Sequence, residues 1–190
     1  MIRKTIFAAI AGIMMLLAAP QAQAQKYFTR DAKVSFDATA ANSPENIQAV
    51  SKSGALVLDK SAGAVQMSVL LKGLTFEKAL MQEHFNENYL ETSKFPKAEF
   101  KGTIDNLASV NFSKDGTYTT KVSGNMTMHG VTKPLTAPVT FIVKGGQISS
   151  TANFKVTLAD YDVSVPSLVS DKVNKEANIS VTASLAVLNK

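Results

Sequence analysis

Period-two alternation, sustained over long stretches, constrains this chain more than any other feature. Leu135, Ala137, Val139, Phe141 and Val143 occupy every second position, as do Val122, Gly124, Met126 and Met128 before them. Ile179, Val181, Ala183, Leu185 and Val187 repeat the pattern near the end, and Phe154, Val156 and Leu158 stand opposite Asn153, Lys155 and Thr157. Successive side chains of a strand point to opposite faces, so each run is a strand with one apolar face. The first half alternates too, at Val34 and Phe36 and at Val65, Met67, Val69 and Leu71. Strand is also expected over 47–50 and 55–59, with a bend or bulge at Ser53-Gly54.

The connections read as short turns. Lys60 to Gly63, His129-Gly130 and Gly145-Gly146 are turns by composition, and Asp115-Gly116 is a hairpin signal. About eight strands joined this way cannot be parallel, because parallel neighbours need long crossovers. An all-β, eight-stranded antiparallel barrel follows, with one short helix between strands. The helix is expected around Phe76, Leu80, Met81, His84 and Phe85, spaced to share one side. Pro96 ends it, and a new strand begins at Lys97 with Ala98, Phe100 and Gly102 on one face. A lone helix among strands covers apolar surface at a sheet edge or a barrel mouth.

Residues 1–24 read as a signal peptide. Arg3 and Lys4 precede an apolar run from Thr5 to Ala19, and Ala22-Gln23-Ala24 has the small-x-small form of a cleavage site. The run of 15 residues is shorter than the roughly 20 that span a bilayer. The barrel domain is then 25–190, and the expected location is periplasmic or secreted. With no cysteine, neither lipid attachment at the leader nor a disulfide is available, so the core alone must stabilise the fold. Without the leader, 18 basic residues face 15 acidic ones, a balance of +3 with no basic run, and no nucleic-acid partner is expected.

Catalytic and metal chemistry find no support. His84 and His129 lie 45 positions apart with no cysteine to join them in a zinc site. Asp160 and Asp162 lack the rest of a calcium loop, and Glu83 with Glu87 reads as a solvent face of the helix. No nucleophile motif or phosphate loop occurs, so no catalytic residue, metal or required cofactor is assigned. Apolar surface remains. Met67, Met126, Met128, Phe141 and Phe154 project from apolar strand faces, and methionine adapts well to an irregular hydrocarbon. The same residues suit a plain core, and the sequence leaves both a filled and a hollow barrel open.

HFNENYLETSKFPKAEFKG at 84–102 and, more closely, GNMTMHGVTKPLTAPVTF at 124–141 resemble the YceI-like family, whose strand-and-turn pattern is G-x-L-T-x-x-G-V-T-K-P. FKVTLADYDVSVP at 154–166 extends the likeness over most of the chain. The resemblance implies a lipocalin-like barrel exported to the periplasm, with a lengthwise apolar cavity that in some members holds a polyisoprenoid such as a quinone-like lipid. It implies no enzyme activity. Members carry a histidine near the first strand and an Arg-x-x-Phe-Gly in the late loop, where this chain has Asp31 to Phe36 and Ala159 to Val163.

The leading expectation is an exported protein that sequesters or carries an amphiphilic isoprenoid-like lipid. Met67, Val69, Phe85, Met126, Met128, Phe141 and Phe154 would line its tail. Membrane contact would be transient, and a homodimer through an exposed strand is compatible with this reading. The alternative is a filled barrel serving as an interaction or stress-response module with no lipid.

Overall fold

The alternating runs become the walls of one closed sheet. The structure is a computed structural model describing residues 25–188, so the expected signal peptide at 1–24 lies outside the described residues. Its elements are β1 (Lys26–Thr39), β2 (Gln48–Asp59), β3 (Ala64–Leu70), a two-residue β4 (Thr75–Phe76), α1 (Ala79–His84), β5 (Lys97–Ile104), β6 (Gly116–Met128), β7 (Val131–Lys144), β8 (Gln147–Thr157) and β9 (Val173–Val187). Apart from β4, each strand pairs antiparallel with its neighbours around the ring, and β1 pairs with both β2 and β9. That closes an eight-stranded barrel, while β4 adds a short ladder to β2 at Ala49 and Val50. Closure removes most of the free edge that a sheet of long strands would otherwise expose, the exception being the first half of β7.

Two details show how the wall is bent. Gly102 and Gly124 stand opposite one another in the β5–β6 ladder. A Cβ on Gly124 would fall within contact distance of the Lys101 carbonyl and the Gly102 Cα, and one on Gly102 would strike the Ser123 carbonyl. The Phe100 ring lies over Gly102 and fills the space a side chain would take. This close approach demands glycine for space rather than for φ. Gly124→Ala must force the two strands apart, and we expect it to cost about 1–3 kcal/mol as a lower denaturant midpoint. An unchanged midpoint would show that β5 and β6 are not so tightly apposed. The expected irregularity near Ser53-Gly54 is present as register shifts of β1 against β2 on either side of the Ala32–Gly54 pair.

Pro134 and Pro138 also have a structural reason. The β7–β8 ladder covers only Val139–Lys144 of β7, so both prolines lie where β7 has parted from β8 and its N–H groups have no ladder to join on that side.

The lower end of the barrel is packed solid. Tyr27, Leu58, Val143, Ile148 and Leu185 form its floor. The hairpin expected at Asp115-Gly116 is not there: β5 stops at Ile104, and residues 105–115 fold beneath the floor before β6 begins. Val110 and Phe112 are buried in that connection, with Phe112 edge-on to Phe141 at 5.3 Å. Burial of these two side chains overrides the local turn preference, and Asp115 Oδ1 instead accepts a hydrogen bond from the Gly145 N–H at 2.9 Å. The other tight turns form as read. His129-Gly130 and Gly145-Gly146 each have two residues at positive φ, as a type I′ hairpin requires.

The upper end carries the helix, which is shorter than its sequence spacing implies. Phe76 belongs to β4, and α1 ends at His84. From Phe85 to Tyr89 the chain widens into a π turn, with the Leu90 N–H donating to the Phe85 carbonyl at 3.0 Å. Lying across a rim, α1 turns only a narrow stripe to the barrel. Met81 and Phe85 pack on the core, whereas Leu80 is 64% exposed and His84 faces solvent.

Candidate ligand cavity

Between floor and helix the inward side chains do not meet. Met67, Phe100, Ala152, Phe154 and Ile179 face inward across the ladders yet are only partly buried. In a closed barrel, such exposure is to an internal void. The void is a cavity of about 410 Å³, within the roughly 300–1,000 Å³ of small-molecule sites. It runs from Leu58, Val65, Val122, Phe141 and Ser150 at the deep end to the rim beneath α1.

All seven residues singled out from the sequence border this cavity. β3 supplies Met67 and Val69, β6 supplies Met126 and Met128, β7 supplies Phe141 and β8 supplies Phe154. Cross-strand pairing of Phe100 with both Met67 and Met126 makes an aromatic–methionine band halfway up. Phe85 enters from the π turn and closes an aromatic group at the top, 5.6 Å from Phe36 and 4.9 Å from Phe76. Phe36, Phe76, Phe100, Ile179 and Ser150 also line the wall but were not singled out. Parity along the strand would have found all of them except Phe76, which the helix reading displaced.

The rim is polar. Ser43, Glu45, His84 and Lys172 border the mouth, with Glu45 ion-paired to Lys78. An apolar shaft below a polar rim matches an amphiphile, tail down and head in water.

His129 holds the rim together. Its Nδ1 lies 2.9 Å from the Tyr161 carbonyl oxygen and its Nε2 lies 3.0 Å from the Glu91 carboxylate. Phe95 packs against the imidazole at 4.8 Å. The β6–β7 turn is thereby tied to the segment after α1 and to the segment after β8. His129 is a turn residue as read, but one with long-range partners. Burial, with the Asp160 carboxylate nearby, pushes the Tyr161 phenol above its usual range and keeps it neutral. Among the described residues no group of three or more His, Cys, Asp and Glu gathers to hold a metal ion.

A family model described as the YceI-like domain matches residues 25–185. A UPF0312 protein of Pseudomonas fluorescens is 35% identical over 60 residues, which is 32% of this chain and only 29% of that protein's length. Solved structures share the fold. A polyisoprenoid binding domain from Saccharophagus degradans, implicated in plant cell wall breakdown, aligns over 87% of this chain and 99% of its own at 12% identity and a TM-score of 0.73. Burkholderia cenocepacia BcnA aligns over 82% of this chain and 96% of its own at 18% identity and a TM-score of 0.65. A Campylobacter jejuni YceI protein aligns over 77% and 87% at 15% identity and a TM-score of 0.59.

Proposed function

This chain belongs to the YceI-like domain family, and from that premise we propose that its barrel binds an amphiphilic lipid of the quinone or polyprenyl type, for sequestration or transport. The observation that carries the proposal is the continuous apolar cavity of about 410 Å³ under a polar rim. The Saccharophagus domain named for polyisoprenoid binding supports it by likeness of fold. Burial of the tail supplies the affinity, at about 0.8 kcal/mol for each methylene removed from water. The head stays at the rim among Ser43, Glu45, His84 and Lys172. The function is binding rather than turnover, with residues 1–24 directing export and contact with a membrane lasting only as long as lipid exchange.

The test is uptake by delipidated protein, read by native mass spectrometry. A long-tailed benzoquinone is expected to give a one-to-one adduct, and the same ring without its tail is expected to give none. Met126→Lys places an unpaired ammonium on the apolar wall and is expected to abolish the adduct. Equal uptake of tailed and tailless quinone, or an unchanged adduct in the folded variant, would remove the cavity as the site.

A further inference from the structure

The deep end of the cavity carries one polar side chain. Ser51, Thr92 and Ser150 are the buried polar residues among those described. Ser51 bonds to Ser53 and Thr92 bonds to Asn86, whereas Ser150, only 9% exposed, makes no such bond and borders the void. In the ladders it lies between Phe141 of β7 and Ala183 of β9. The next layer down is Val143, Ile148 and Leu185, which close the floor. Of the other polar residues bordering the cavity, Ser43, Glu45, His84 and Lys172 stand at the opposite end, and Glu99 lies part-way up β5, ion-paired to Lys97.

We infer that Ser150 is a hydrogen-bonding subsite for a compact uncharged oxygen function, a hydroxyl or a carbonyl, on the end of the ligand that reaches the barrel floor. The inference rests on the cavity being the ligand site. A saturated or olefinic chain end placed there would strip water from the Ser150 hydroxyl and return nothing, which penalises a pure hydrocarbon. A ligand oxygen at the same point both keeps the hydroxyl satisfied and satisfies itself, since a serine hydroxyl donates one bond and accepts others. A charged group is excluded by the apolar surroundings, because no opposite charge borders the deep end. Strand geometry makes the position rigid: Ser150 is held by the β7–β8 and β8–β9 ladders on both sides.

Two probes of equal length, both carrying the same polar head for the rim, separate the possibilities: an isoprenoid chain whose far end bears a hydroxyl, the alcohol, and the chain of the same skeleton whose far end bears none, the hydrocarbon. Affinities are measured for the wild type, Ser150→Ala and Ser150→Thr, the last keeping a hydroxyl. The wild type is expected to prefer the alcohol, Ser150→Ala to lose roughly three- to tenfold for the alcohol while holding or gaining affinity for the hydrocarbon, and Ser150→Thr to retain the preference. Equal affinity of wild type and Ser150→Ala for the alcohol would overturn the subsite while leaving the cavity as the lipid site. A loss shared equally by both probes would mean that the serine only shapes the wall, and would overturn it too. Failure of the wild type to bind either probe would overturn the cavity reading itself, and this assignment with it.

Discussion

Ala152→Phe is expected to abolish uptake of a long-tailed lipid while leaving the barrel folded. Ala152 sits halfway along β8, opposite Val139 on β7 and Val181 on β9, and its side chain borders the void. A phenyl ring there projects into empty space rather than into a neighbour. Filling a cavity ordinarily stabilises by about 0.5–2 kcal/mol, whereas overpacking a full core costs about 1–3 kcal/mol, so the sign of the stability change reports whether the space is real. The ring also stands across the path between rim and floor. Adduct formation in native mass spectrometry should fall at least about tenfold, a change of ~1.4 kcal/mol in binding. The denaturant midpoint should hold or rise. Undiminished uptake would place the ligand elsewhere, and a sharply lower midpoint would mean that the interior is already filled at this level.

The second large effect belongs to the floor. Phe141 is 3% exposed, packs edge-on against Phe112 and joins the strand wall to the 105–115 connection. Phe141→Ala is expected to lower the unfolding free energy by about 3–5 kcal/mol, the range for a buried phenylalanine whose site cannot collapse. Phe112→Ala should be costly too, and the double variant should lose less than the sum, with a coupling of about 0.5–1.5 kcal/mol for the aromatic pair. Chemical denaturation of the three variants gives these numbers. Additive losses, or a loss below about 1 kcal/mol for Phe141→Ala, would show that the connection does not plug the barrel.

The wall of the barrel was legible because period two is a local property: Met67, Met126, Phe141 and Phe154 each declare their face through their immediate neighbours. What alternation does not encode is whether facing side chains touch across the barrel. That depends on strand number and stagger, which belong to the whole sheet, so hollow and filled interiors have the same pattern. Asp115-Gly116 shows the converse failure. Its turn preference is real, but Val110 and Phe112 gain more by burial under the floor than a tight hairpin would return. The helix is shorter than its spacing implies for a related reason: Phe76 has helical spacing to Leu80, yet its backbone pairs with Ala49 of β2 as part of β4. His129 lies in the turn that its Gly130 neighbour signals, but its partners Glu91 and Tyr161 are 38 and 32 positions away and leave no local trace. Ser150 was visible by parity, lying two positions from Ile148 and from Ala152, and a lone hydroxyl at an inward position is the signal to look for.

The most direct measurement is native mass spectrometry of the protein purified from its own source, followed by solvent extraction of whatever accompanies it. A stoichiometric lipid with a long isoprenoid tail and an oxygen-bearing head is expected, released when the protein is denatured. A bare protein that also refuses added long-tailed quinones would contradict the lipid-binding function of the cavity.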